Sequence, residues 1–366
     1  MVSLVISWPL MRVLIVLSHR HALLDRPGSE AHKELKPAVP NVGGVAVIAA
    51  VVGPAVAGLI GCAVLEAAGR GSALTTAVAS VDHRAWGLIG ATLLLHAVGL
   101  LDDRRALGAL PKLAAQGVAA TLVIWLVGSR AMEVAGAPLS VALTVLWIVA
   151  ITNAFNFLDN MDGLSTGVAA VIAAVFLLCA AAAGQWLVAT LAGALLGALL
   201  GFLWFNLPPA RAYLGDGGSL VIGLLLSVVA LEMTYHVAPG AETTPPAGAP
   251  AALSRDTRWH AVLMPLVVFA VPLYDLVSVT LIRLREGRSP MTGDRNHFSH
   301  RLVKLGLSRP AAVTVIWLAT LATAAGGLVI ARVEADAAAL VAVQVAAVLA
   351  TLAVLEIGGH RARARR

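Results

Sequence analysis

The sequence contains little charge. Only 13% of its 366 residues are Asp, Glu, Lys or Arg, while 59% are hydrophobic; soluble domains carry about 25% charged residues. This shortage excludes a water-facing surface of ordinary polarity, and we predict an all-α protein that crosses a membrane many times. Since no polar stretch is long enough to fold by itself, residues 1–366 are expected to form one integral membrane domain.

Cysteine is scarce as well. Cys62 and Cys179 both lie in apolar runs, which favours core or lipid-facing positions over a disulfide or a zinc site. The first apolar stretch has no small-residue cleavage site, so no cleavable signal peptide is expected.

About eleven apolar runs are long enough to span a bilayer, which takes roughly 20 residues. The first contains Pro9, which makes its assignment the weakest. The runs cover residues 2–18, 42–65, 85–101, 112–129, 139–158, 164–183, 186–205, 218–236, 260–283, 309–331 and 337–357.

Basic residues divide unevenly between the two sets of loops. One set, with its span boundaries and the carboxyl-terminal tail, holds 19 of the 26 Lys and Arg residues. The positive-inside rule assigns that set to the cytoplasm, with the amino terminus outside and the carboxyl terminus inside. The net charge of +6 is then a signal of topology, and nucleic acid is not an expected partner. The cytoplasmic loops are 19–41, 102–111, 159–163, 206–217 and 284–308, and residues 237–258 form an external loop.

Polar side chains gather in five clusters on the predicted cytoplasmic side. Acidic groups at membrane depth are costly and usually serve a function. The clusters contain, in chain order, His32 and Lys33; Asp102 and Asp103; Asn153, Asn156, Asp159 and Asp162; Gly215 and Asp216; and Asp294, Arg295, His297 and His300.

Each cluster also has a structural interpretation. Adjacent carboxylates suit a metal or a general base, but can also cap a helix. Polar residues at every third position line one helical face, as an interhelical hydrogen-bond network also would. The Gly-Asp-Gly-Gly turn suits phosphate and Mg²⁺, and the basic loop suits a diphosphate or simply sets topology. Taken together on one side, they predict phosphoryl transfer between a soluble donor and a membrane-embedded acceptor.

The chain resembles the polyprenyl-phosphate N-acetylhexosamine-1-phosphate transferase superfamily, glycosyl transferase family 4. The resemblance runs from Asp25-Arg26-Pro27 to Gly306 and rests on five motifs in order. They are the loop His32 to Gly44, the pair Asp102-Asp103 with Lys112 and Gln116, the segment Asn153 to Leu164, the turn Leu214 to Ser219, and the loop with Ser289-Pro290, Asp294, His297 and His300.

The resemblance implies transfer of a sugar-1-phosphate from a UDP-sugar to undecaprenyl phosphate, with release of UMP and with Mg²⁺, or Mn²⁺ in its place, as cofactor. It implies a multi-pass enzyme of the plasma (inner) membrane whose active site faces the cytoplasm. By the same resemblance Asp216 is the leading metal ligand, and Asp102 and Asp103 bind or deprotonate the carrier phosphate or assist the metal. Asp159 and His297 are the remaining catalytic candidates. The residues implied in substrate binding are His32, Lys33, Asn153, Asn156, Asp162, Gly215, Asp294, Arg295 and His300.

Two departures from the family pattern bear on the sugar donor. Ser299 stands where relatives often have a further histidine, and no basic residue occupies position 30 or 31. The separated histidines and eleven spans favour the N-acetylglucosamine branch over the phospho-N-acetylmuramoyl-pentapeptide branch. A transporter is the alternative from another class, but it would place polar residues near the midplane of repeated halves. Spans rich in Ala and Gly also permit a homodimer.

Overall fold

The computed structural model describes residues 1–20, 39–131, 136–235, 263–291, 296–330, 333 and 335–364. Within these ranges the chain forms fourteen α-helices and no β-strand. The helices are α1 Val2–Arg20, α2 Gly43–Ala67, α3 Ala73–Ala79, α4 Asp82–Arg104, α5 Ala109–Leu122, α6 Ala137–Leu158, α7 Leu164–Ala182, α8 Trp186–Asn206, α9 Asp216–Tyr235, α10 Leu263–Val268, α11 Ala270–Arg285, α12 Phe298–Lys304, α13 Arg309–Ile330 and α14 Ala335–Ala364. A π-helical turn, Val123–Val127, continues α5.

Ten helical segments in the described ranges are long and apolar enough to cross a membrane. The prediction of an all-α, multi-pass membrane protein is therefore confirmed, including its first span. The predicted span 260–283 differs, because the described part consists of two shorter helices, α10 and α11, that meet at Phe269. Pro272 explains the break, since a proline ring clashes with the carbonyl four residues earlier, here that of Val268.

The centre of the bundle is α9, the most buried of the ten spans. Glycines bring its first turn against two other helices: a methyl group at Gly99 in α4 would overlap the backbone of Asp216, and one at Gly44 in α2 would overlap that of Gly218. Small residues at such crossings let helix backbones approach closely in a membrane protein. These contacts fix the start of α9 relative to α2 and α4.

A short backbone pairing joins two loops beside this crossing. Tyr213 donates its N–H to the carbonyl of Pro40, and Gly43 donates to the carbonyl of Tyr213, each at 2.9 Å. The chain that leads into α2 therefore lies alongside the chain that leads into α9.

Candidate active site

Asp103 caps α9 from a neighbouring helix. Its Oδ1 accepts the backbone N–H of Asp216 at 2.9 Å, and its Oδ2 accepts that of Gly217 at 3.2 Å. The first N–H groups of a helix have no partner within the helix, and a carboxylate there also meets the positive end of the helix dipole. Asp103 thus positions Asp216.

Lys112, on α5, bridges Asp102 and Asp216. Its ammonium Nζ lies 2.8 Å from Asp102 Oδ2 and 2.9 Å from Asp216 Oδ2. The other oxygen of Asp102 accepts the backbone N–H of Leu107 at 2.7 Å. Consecutive residues on a helix point about 100° apart, so the two adjacent aspartates engage different partners. Each carboxylate therefore has its own hydrogen-bond donors.

The polar residues that recur every third position from Asn153 to Asp162, at the end of α6, have different partners. Asn156 Nδ2 donates to Asp216 Oδ1 at 2.9 Å and to Ser219 Oγ at 3.1 Å, so it belongs to the acidic cluster. Asn153 instead donates to Gln116 on α5 at 2.6 Å. The helix ends at Leu158, so the last two residues of this series do not continue its helical face. One of these, Asp162, accepts the backbone N–H of Ala210 and so holds the 206–217 loop.

Asp159 lies at the end of α6, next to the acidic cluster. Burial is the main reason that the pKa of its carboxyl is raised well above the usual range, and the charges of Asp216 and Asp103 raise it further. A hydrogen bond from the backbone N–H of Gly215 opposes this shift in pKa. Asp159 therefore binds a proton more readily than an exposed aspartate does.

Gly215 has a steric role in the turn before α9. Its φ is +73°, a conformation that side chains disfavour, and a methyl group there would overlap Asn41 and Asp103. Asn206, a buried residue that sequence reasoning missed, holds the other end of this loop. It accepts from the N–H of Gly163 at 3.1 Å and donates to the carbonyl of Ala212 at 3.0 Å. Its position as a polar residue at the end of an apolar run was the available signal.

His297 lies in a second cluster, oriented by an aspartate that sequence reasoning also missed. Asp275 on α11 is fully buried; its Oδ2 lies 3.0 Å from His297 Nδ1, and its Oδ1 accepts the N–H of Phe298 at 2.6 Å. A carboxylate bound to one ring nitrogen fixes the tautomer and leaves Nε2 as the available nitrogen. The ring also packs edge-on against Phe157 at 5.3 Å, which joins this cluster to the end of α6. An aspartate inside an apolar run was the signal for Asp275.

The remaining predicted residues of the histidine loop are only partly described. The His300 ring lies 6.5 Å from that of His297, so the two histidines are neighbours. Arg283, almost fully buried, stacks over Phe157 at 5.0 Å and donates to the carbonyl of Pro290. His32, Lys33, Asp294 and Arg295 lie outside the described residues, as do the predicted external loop and most of the loop 19–41.

The acidic cluster offers part of a ligand set for a divalent cation. Among the described residues, no three His, Cys, Asp or Glu side chains group to hold a metal by themselves. Mg²⁺ typically takes only one or two carboxylates and completes its shell with water and substrate phosphates. Asp216 accepts one hydrogen bond at each oxygen, and a carboxylate oxygen can accept more than one. The donor chemistry therefore fits Mg²⁺ bound together with a phosphate ligand.

The family model "Glycosyl transferase family 4" matches residues 85–234, the segment that carries this cluster. A decaprenyl-phosphate N-acetylglucosaminephosphotransferase of Mycobacterium tuberculosis is 30% identical over 303 residues, or 76% of this chain and 69% of the relative. The chain belongs to glycosyl transferase family 4. Within the family it is also 30% identical over 241 residues to a probable undecaprenyl-phosphate N-acetylglucosaminyl 1-phosphate transferase of Bacillus subtilis, covering 63% of this chain and 61% of the relative.

An undecaprenyl-phosphate alpha-N-acetylglucosaminyl 1-phosphate transferase of Escherichia coli K12 is 27% identical over 263 residues, with 68% and 66% coverage. The match thus spans 61% to 69% of these relatives' own lengths. The family assignment that the sequence motifs predicted is confirmed.

Proposed function

We propose that this protein transfers N-acetylglucosamine-1-phosphate from UDP-N-acetylglucosamine to a polyprenyl phosphate, releases UMP, and so initiates synthesis of an envelope glycan. The names of the relatives supply the substrate class, and their differing prenyl names leave the carrier's length open. The observation that carries the proposal is the cluster of Asp102, Lys112, Asn156 and Asp216 at one end of the spans. A soluble donor and a lipid acceptor can meet at such a position.

The distribution of Lys and Arg supports a cytoplasmic location for this end of the bundle. UDP-sugars are cytoplasmic substrates in this scheme, and the enzyme would lie in the plasma (inner) membrane. The excess of Lys and Arg in the loops at this end also favours the approach of anionic substrates.

The proposed reaction is a direct displacement at the sugar-bearing phosphorus. An oxygen of the lipid phosphate forms a bond to that phosphorus, the anhydride bond to UMP breaks, and UMP leaves with the bonding electron pair. The lipid phosphate is already an anion, so it needs orientation more than deprotonation. Lys112 is placed to neutralise phosphate charge, while Asn156 and Asp103 hold Asp216 in position.

We propose Asp216 as the principal ligand of Mg²⁺, with Asp102 as its companion; Mn²⁺ is the alternative ion. Bound Mg²⁺ would neutralise charge on the diphosphate and favour departure of UMP. Asp103 is less suited to this role, because both of its oxygens cap α9. As an imidazolium, His297 would donate from both ring nitrogens, to Asp275 through Nδ1 and to a phosphate oxygen through Nε2.

The test uses purified protein in detergent with polyprenyl phosphate, Mg²⁺ and radiolabelled UDP-N-acetylglucosamine. We expect label to enter the lipid fraction with release of UMP, and EDTA to abolish transfer. Asp216→Asn should lower the rate by at least about 100-fold, the order found when one preorganised electrostatic group is lost.

Asp82→Asn is the matched control. Asp82 is an exposed aspartate at the opposite end of α4 from Asp102, and its variant should transfer label at the original rate. Lipid-linked label from a different UDP-sugar would keep the reaction and correct the donor. Folded protein that transfers label to lipid from no nucleotide sugar would contradict the proposal and reopen a transport role.

A further inference from the structure

Arg12 lies inside the first span, about 12 Å from the end of α1 by helical rise. Its guanidinium stacks over the ring of Trp8 at 4.1 Å, and the side chain is exposed. Among the described residues Arg12 has no carboxylate partner and no hydrogen-bond acceptor. A charge at such a depth is costly and usually marks a binding function.

Arg12 lines a groove at the same end of the bundle as the active site. The groove has a volume of about 520 Å³ and is formed where α1, α8 and the segments around Pro40 and Arg211 meet. Its lining residues are Arg12, Ile15, Val16, His19, Val39, Pro40, Phe205 and Arg211. No lining residue is acidic, three are basic, and the others are apolar.

Arg211 repeats the arrangement of Arg12 on the other side of the groove. Its guanidinium stacks over Phe205 at 5.0 Å, and one N–H donates to the carbonyl of Trp204 at 2.7 Å. Since a guanidinium has five N–H donors, both arginines keep donors for a ligand. Two arginines can bind phosphate oxygens bidentately, while the apolar wall accommodates hydrocarbon.

We infer that this groove binds the phosphate headgroup of an anionic phospholipid of the surrounding leaflet. Basic pockets between membrane-spanning helices are suited to such headgroups. The groove's lining contains no carboxylate that could act as a base or hold Mg²⁺, so its chemistry holds a phosphate without transforming it. For this reason we assign the phospholipid rather than the reacting carrier lipid.

The bound lipid also has a structural route to the active site. Pro40, in the groove wall, accepts the N–H of Tyr213, and the chain continues from Tyr213 through Gly215 to Asp216. A phosphate held by Arg12 and Arg211 would link α1 to the segment that leads into α9. We therefore expect the lipid to stabilise the fold, whether or not the proposed transfer activity is correct.

Native mass spectrometry of the purified full chain tests the inference directly. The protein is delipidated in detergent and titrated with phosphatidylglycerol, or with phosphatidylcholine for comparison. Each basic side chain near an anionic lipid surface contributes roughly fivefold in affinity. Arg12→Gln/Arg211→Gln should therefore bind phosphatidylglycerol about 25-fold more weakly, with little change for phosphatidylcholine.

Arg130→Gln is the matched control. Arg130 also stacks on a tryptophan, Trp125, but it follows the end of α5 that lies away from Lys112 and the active site. Its variant should bind phosphatidylglycerol normally. Arg12→Lys keeps the charge and serves if the double variant does not fold; it should lose less affinity than Arg12→Gln. Phosphatidylglycerol should also raise the unfolding temperature of the original protein more than that of Arg211→Gln.

Two results would overturn the inference. One is unchanged phosphatidylglycerol binding in Arg12→Gln/Arg211→Gln that folds normally. The other is groove-dependent binding of polyprenyl phosphate or of inorganic phosphate with no preference for phosphatidylglycerol. Neither result depends on a transfer assay, so failure here is distinguishable from failure of the proposed reaction.

Discussion

Two charged clusters lie at the same end of the bundle but differ in access to water. In the acidic cluster the side chains of Asp102, Lys112 and Asp216 are 12%, 22% and 26% exposed. In the histidine cluster the side chains of Asp275 and His297 are 1% and 8% exposed. The first cluster can therefore exchange its partners for substrate, whereas the second holds its partners as part of the fold.

This difference separates reacting groups from orienting groups. A partly exposed ion pair contributes less to stability than a fully buried one, because water competes for both charges. A buried hydrogen-bonded carboxylate is different, since removing it leaves its donors unsatisfied in a medium of low dielectric. We therefore expect mutations in the acidic cluster to reduce activity, and removal of Asp275, which orients His297, to reduce stability.

The largest expected effect is on the transfer rate of Lys112→Met. This change leaves Asp102 and Asp216 without the cation between them and removes a positive charge from the proposed diphosphate site. We expect the rate to fall by about 100- to 1000-fold, while the free energy of unfolding should fall by less than in a variant that removes the buried Asp275, because water reaches the two carboxylates left behind. Label transfer to lipid and SDS titration in mixed micelles measure the two quantities.

Lys304→Met is the control for this variant. Lys304 is exposed at the same end of the bundle, on α12, so its loss changes the local charge without touching the acidic cluster. Lys112→Arg should not restore the rate, because a planar guanidinium does not replace a compact ammonium between two carboxylates. A loss of stability that parallels the loss of rate in Lys112→Met would remove the contrast between the clusters.

The next effect is the loss of stability in Asp275→Ala. The truncation leaves the N–H of Phe298 and the Nδ1 of His297 buried without their partner. Each unsatisfied buried group costs roughly 1–3 kcal/mol, so we expect a decrease in the free energy of unfolding of about 3 kcal/mol. Asp336→Asn, at an exposed position in the first turn of α14, should leave the unfolding curve unchanged. A stable Asp275→Ala would show that the histidine cluster is as adaptable as the acidic one.

The sequence was sufficient for most of the fold, because its signals are long and local. An apolar run of 20 residues is itself the property that makes a spanning helix. The break between α10 and α11 was not predicted, because the apolar run continues through it. Pro272 was the available signal. The orientation of the termini stays a prediction from the basic residues.

The site was predictable as a set of residues but not as a set of partners. Asp102, Asn156 and Asp216 were singled out, and the structure brings them together. Whether an aspartate caps a helix or faces a ligand depends on contacts between distant segments, as Asp103 demonstrates at α9. Asp275 was missed because a single acidic residue in an apolar run gives no indication of its partner.

The smallest expected effect concerns Asp159, which is near the acidic cluster but has the raised pKa of a buried carboxyl. In the unfolded chain this carboxyl has its ordinary pKa, lower than in the folded protein. Above that ordinary pKa the ionised side chain is therefore less favourable in the folded state than in the unfolded state. The aspartate then lowers the free energy of unfolding relative to a neutral asparagine. Asp159→Asn should therefore raise the unfolding temperature of the metal-free protein modestly at pH 8. The gain should shrink as the pH falls through the raised pKa of the folded state, and should vanish once the carboxyl is protonated in both states. Thermal unfolding in detergent between pH 4 and pH 8 measures this, with Asp82→Asn as the exposed control. A gain that is constant with pH would mean that the amide stabilises through its own contacts and not by removing a charge. Asp159 would then belong with the partly exposed acidic cluster.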